Sequence, residues 1–99
     1  MSERISERTL ICEQSIPKFP RGVRLKHDEV RDQWVVLAPE RMFKLDDIAV
    51  AVMEQVDGEK PVSDMVDFLA EKFQAPREQI SGDVVAMLQG FADKGVLTA

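Results

Sequence analysis

Residues 37–49 read LAPERMFKLDDIA, and their order decides the fold. Leu37-Ala38 completes the run begun by Trp34-Val35-Val36, whose aromatic and β-branched residues suit a buried strand. Pro39 fits the first central position of a tight turn, so the chain reverses at Pro39-Glu40. Arg41 to Leu45 then returns as a further strand. Alternation puts Arg41, Phe43 and Leu45 on one face of it and Met42 and Lys44 on the other. Asp46-Asp47 follows directly, offering side-chain acceptors and negative charge to the first turn of a helix. Two adjacent carboxylates at that place read as a cap rather than as an acid–base pair.

Upstream, Val23, Leu25 and His27 alternate with Arg24 and Lys26, which predicts a strand over about residues 23–28. Downstream, Leu45, Ile48, Ala49, Val52, Met53 and Val56 recur at helical spacing until Asp57-Gly58. Pro61 opens a second helix with a core stripe of Val62, Met65, Val66, Leu69 and Phe73. Gln74-Ala75-Pro76 breaks it and starts a third, in which Ile80, Val84, Met87, Leu88 and Phe91 share a face and which Gly95 closes. Gly82 and Gly90 inside this helix each cost roughly 1 kcal/mol relative to Ala, so a gain in close packing or backbone approach is expected to offset them. Val96-Leu97 is expected to fold back over the core. The fold class is therefore α+β and winged helix-turn-helix-like: a three-stranded antiparallel sheet followed by a three-helix bundle.

The recognisable domain runs over residues 20–99. Residues 1–19 hold no sustained period, end near Pro17 and Pro20, and read as a loosely ordered N-terminal arm. Leu10, Ile11 and Ile16 leave two arrangements open, docking on the domain itself or exchange with a second copy. A monomer and a dimer through the arm are both compatible with the sequence.

Ninety-nine residues make one small domain, and a content of 44% hydrophobic and 31% charged residues supports one modest core. The net charge of −5 hides an asymmetry: residues 1–27 carry six Lys/Arg against three Glu, and the remainder carries seven against fifteen acids. A folded region so rich in carboxylates is a poor ligand for nucleic acid. One cysteine, Cys12, and one histidine, His27, supply neither a disulfide nor a zinc set, and Ser63 and Ser81 have no histidine partner. No glycine-rich phosphate loop follows a strand. No long apolar run indicates a membrane span, and a reducing cytoplasm is the expected setting. The chain reads as a non-enzyme with no cofactor and no metal.

The joint spacing of Pro20 to Leu25, Leu37-Ala38-Pro39-Glu40-Arg41, Leu45-Asp46-Asp47-Ile48-Ala49, Asp57-Gly58 and Lys94-Gly95-Val96-Leu97 resembles the PqqD family of pyrroloquinoline quinone biosynthesis. The resemblance covers residues 20 to 97 and leaves the arm, longer than expected, without a role. It implies a non-catalytic peptide chaperone of the kind called a RiPP recognition element. Its implied partners are the precursor peptide PqqA and the radical SAM enzyme PqqE, which crosslinks a Glu and a Tyr of that peptide. It also implies a site. The peptide adds as a strand beside Arg41, Met42, Phe43, Lys44 and Leu45 and lies against a wall formed by Val84, Val85, Met87, Leu88 and Phe91.

Some of these residues carry a second reading. Leu45, Leu88 and Phe91 also lie on stripes that the core needs. Arg41 and Lys44 are either charges that protect an exposed edge or partners for peptide carboxylates. Asp83 and Gln89 are either contacts or solvated helix positions. Two rival functions remain: a DNA-binding winged helix and an accessory domain that binds only the enzyme. The third helix argues against the first, with Arg77 and Lys94 set against Glu78, Asp83 and Asp93.

Overall fold

The computed structural model describes residues 9–99. Strands β1 (Arg24–Asp28), β2 (Gln33–Ala38) and β3 (Arg41–Lys44) come first, and helices α1 (Asp47–Met53), α2 (Val62–Phe73) and α3 (Arg77–Asp93) follow. The expected order of sheet and helices is the one the chain adopts. The strands form one antiparallel sheet in the order β1-β2-β3. The most apolar strand takes the centre, with Val35 and Val36 buried on its opposite faces. Glu40 enters the left-handed region, with φ 64°, to close the two-residue turn after Pro39.

Asp46 caps α1 as expected, its Oδ1 accepting the Ala49 N–H at 2.8 Å. The helix is shorter than its apolar stripe implied. Past Met53, the N–H groups of Gln55 and Val56 bond three residues back, to Val52 and Met53, and the turn tightens. The Asp57 carboxylate then takes the N–H groups of Glu59 and Lys60, both at 2.9 Å. Gln74, left-handed with φ 53°, ends α2 ahead of Pro76. Val96 and Leu97 do fold back into the core, and Thr98 is tied to Lys18 by a reciprocal pair of backbone bonds.

That core joins the inner face of the sheet to all three helices. Met53, Met65, Leu69, Leu88, Val36 and Val62 are its largest enclosed side chains, alongside Leu97 and Val66. Two residues assigned to core stripes are not enclosed: Ile48 is 50% exposed and Phe73 is 38% exposed.

Within the described part of the arm, the expectation of loose order is corrected, and residues 1–8 lie outside the described residues. Ile11 is buried in the core cluster. The Gln89 side-chain amide accepts the Ile11 N–H at 2.9 Å and donates to the Thr9 carbonyl at 2.8 Å, as a neighbouring strand would. Glu13 receives Arg77 through both oxygens, at 3.0 and 3.1 Å, and also the Ser81 hydroxyl. Arg77 reaches on to Asp67, so one guanidinium links the arm to α2 and α3. Leu10 and Ile16 remain exposed.

Candidate functional site

The backbone of β3 has a side that no described segment occupies. Its register with β2 pairs Phe43 with Val36 and Arg41 with Ala38, and the Leu45 N–H reaches the Trp34 carbonyl at 3.0 Å. Antiparallel ladders alternate bonded and non-bonded pairs. Leu45 opposite Trp34 is a bonded pair, so Phe43 and Arg41 also point their backbone groups at β2. Met42 and Lys44 therefore turn both their N–H and their C=O groups outward, away from the sheet.

A groove lies at the Lys44 end of this free edge. About 300 Å³ in volume, it is lined by Lys44, Leu45 and Asp46 from the strand end, Ala49 from α1, and Ala86, Met87, Gly90, Phe91 and Lys94 from the helical wall. Its width is fixed where strand and helix meet. Phe43 and Phe91 pack edge to face, with ring centroids 6.5 Å apart. Arg41 Nη2 donates to the Lys94 carbonyl at 2.7 Å and so caps the end of α3. Lys94 Nζ stands 5.7 Å from both ring centroids, and the Arg41 guanidinium lies 5.4 Å from that of Phe43. Neither Lys44 nor Lys94 forms an ion pair among the described residues.

Of the residues expected at the site, Lys44, Leu45, Met87 and Phe91 line the groove, and Arg41 and Phe43 close its end. Met42, half-exposed, does not line the groove. Leu45 is itself largely enclosed by the core, and Val84 and Leu88 are core residues outright. Val85 does not join the groove: helical rotation of about 100° per residue places it on the stripe between Ser81 and Gln89, where the arm lies. Asp83 lines a neighbouring cavity, and Gln89 is engaged by the arm. Lys94, Gly90 and Ala86 escaped the sequence reading, although Gly90 carried a signal in its cost to the helix. A Cβ added at Gly90 or at Gly82 meets nothing within 4 Å, so packing inside this chain does not account for either glycine.

Elsewhere the chemistry is sparse. His27 Nε2 lies 3.0 Å from Asp32 Oδ1 and its ring packs on Trp34, at the margin of the sheet. Cys12 is exposed, with its thiol pKa lowered by hydrogen bonding to Ser15. Among the described residues no group of three or more His, Cys, Asp or Glu is placed to hold a metal, and no helix is long and apolar enough to cross a membrane.

A small α+β docking scaffold, with an unfilled sheet edge beside a helix-walled groove, is the class this geometry defines. A family model described as "Coenzyme PQQ synthesis protein D (PqqD)" matches residues 33–97, and the chain belongs to the PqqD family. It is 53% identical over 88 residues to the "PqqA binding protein" of Bradyrhizobium diazoefficiens, covering 89% of this chain and 85% of that one. Among solved structures it resembles the solution NMR structure of the PqqD truncation of Methylobacterium extorquens PqqCD, described as a functional and stand-alone RiPP recognition element. The TM-score is 0.80 at 46% identity, covering 94% of this chain and 99% of that one. The crystal structure of PqqD from Xanthomonas campestris matches with a TM-score of 0.54 at 41% identity, covering 86% and 94% of the two chains.

Proposed function

We propose that this protein is a non-catalytic chaperone of pyrroloquinoline quinone biosynthesis that binds the precursor peptide PqqA as a fourth strand beside β3 and delivers it to PqqE. The observation that carries the reading is the free edge itself. A soluble protein normally covers or blunts such an edge. Here Met42 and Lys44 turn four backbone groups away from the sheet, and Lys44 borders a groove walled by Met87, Gly90 and Phe91. Main-chain bonds would give affinity tolerant of sequence, and side chains alternating into the groove would give selectivity. Relatives named as PqqA binding proteins support the identity of the guest. The role of PqqE rests on the family resemblance alone.

Titration of ¹⁵N-labelled protein with PqqA peptide tests the reading. Amide shifts are expected to concentrate at residues 41–45 and along the groove side of α3. Shifts confined to the arm or to β1 would exclude the β3 site. Repeating the titration with PqqE present separates delivery of the peptide from a domain that grips only the enzyme.

A further inference from the structure

Beside the groove lies a second cavity of about 280 Å³, bounded by Ile48 of α1, Leu69 and Phe73 of α2, and Ile80, Val84 and Met87 of α3. Its floor is enclosed, with Leu69 and Val84 at 1% and 2% exposure. Its mouth is formed by the two stripe residues that the core leaves half-exposed, Ile48 and Phe73. Leaving two large apolar side chains wet is unfavourable by roughly 25 cal/mol per Å² of surface, and that loss is recovered only when something covers them.

We propose that this cavity is a separate anchor site for one bulky apolar side chain, of the Leu, Met, Phe or Trp type, on the same peptide that pairs with β3. The inference rests on the reading of β3 as the peptide edge. The surroundings of the cavity select this guest. Met87 lines both cavities, so the groove and the pocket adjoin at that one flexible side chain. The strand end leads there too, since Lys44 in the groove is followed after four residues by Ile48 at the pocket mouth. An extended peptide advances about 3.3 Å per residue, so the anchor lies a few positions beyond the residue paired with Lys44. The volume falls below the roughly 300–1,000 Å³ usual for small-molecule sites. Asp83 on the rim, with no ion pair among the described residues, turns away an acidic side chain and favours one flanked by Lys or Arg. The arm does not compete from its described part, which follows Gln89, Ser81 and Arg77 on another side of α3.

The test uses full-length protein labelled with ¹³C at the Ile and Met methyl groups and with ¹⁵N at the amides. It is titrated with PqqA peptides in which each apolar residue in turn is replaced by Ala. The methyls of Ile48, Ile80 and Met87 are expected to shift with the parent peptide. One Ala peptide is expected to bind about tenfold more weakly, to lose the Ile48 and Ile80 shifts, and to keep the Met42 and Lys44 amide shifts at saturation. Ile48→Asp, at a half-exposed position that folding tolerates, reproduces that loss from the protein side. If the Met42 and Lys44 amides respond while the Ile48 and Ile80 methyls stay fixed, the anchor site is wrong and the strand reading stands. If neither set moves, the strand reading fails first. Ile48 shifts that track protein concentration without peptide would assign the pocket to a second copy and overturn the proposal.

Discussion

Proline substitution at Lys44 interrogates the free edge at a single atom. The Lys44 N–H points away from β2, so proline there leaves the existing ladder intact while deleting one donor offered to the peptide. Phe43 is the wrong position for this purpose. Its N–H faces Val36, and Phe43→Pro would break the sheet before it reported on binding. A typical backbone hydrogen bond contributes about 0.5–1.5 kcal/mol net, and the peptide carbonyl left behind at an edge still reaches water. The expected loss is therefore about 1 kcal/mol, or roughly fivefold in Kd. Lys44→Ala supplies the baseline, because it removes the same charge and keeps the donor. Calorimetric titration with PqqA peptide, alongside a thermal melt of each variant, gives the comparison. Equal affinities for Lys44→Pro and Lys44→Ala in folded proteins would refute strand addition and leave side-chain packing as the source of binding.

Gly90→Ala should raise stability by about 1 kcal/mol through helix propensity and weaken peptide binding, because the new methyl stands in the groove. Gly82→Ala should give the same stabilisation with binding unchanged; a loss of affinity in both variants would point to helix rigidity rather than to the groove. Ile11→Ala should cost about 2 kcal/mol in urea unfolding, and an unaltered midpoint would show that the arm does not belong to the cooperative fold. Hydrogen bonds from Arg77 and then Ser81 hold the Glu13 carboxyl below its ordinary range, so its tie to α3 is complete above the usual carboxylate pKa. The tie should be lost as pH falls through the depressed value. Glu13→Gln should flatten the acid limb of the amide shifts of Ser81, and an unchanged profile would remove Glu13 from that transition.

The strands were legible because Val23 to His27 alternates and Trp34 to Ala38 is a continuous aromatic and β-branched run, followed by a turn that Pro39 specifies locally. The docked arm was not, because its partners are remote: Ile11 meets Gln89 seventy-eight residues away, and Glu13 meets Arg77 sixty-four away. No short window contains either pair. Val85 failed as a wall residue because apolar spacing identifies a face only to within a residue or so, and one step turns a helix by about 100°. Lys94 was legible as a charge and as part of the closing Lys94-Gly95-Val96-Leu97 stretch, whereas its position above Phe43 and Phe91 depends on how β3 meets the end of α3. Ile48 and Phe73 satisfied the core pattern and yet stay half-exposed. Local pattern and tertiary burial disagree there, and such disagreements gather at working surfaces.

Arg77 gives the arm a mechanical consequence. Its guanidinium fastens Glu13 and Asp67 behind α3, on the side of the helix that turns away from the groove. The stretch that matches the family model, residues 33–97, retains the receiving strand, its helical wall and the Arg77–Asp67 pair but omits the Glu13 half of the fastening, and β1 as well. A protein trimmed to that stretch would keep every surface the guest touches while losing the buttress that holds one jaw in place. Weakened binding by such a truncation would then report a wall free to swing rather than a lost contact.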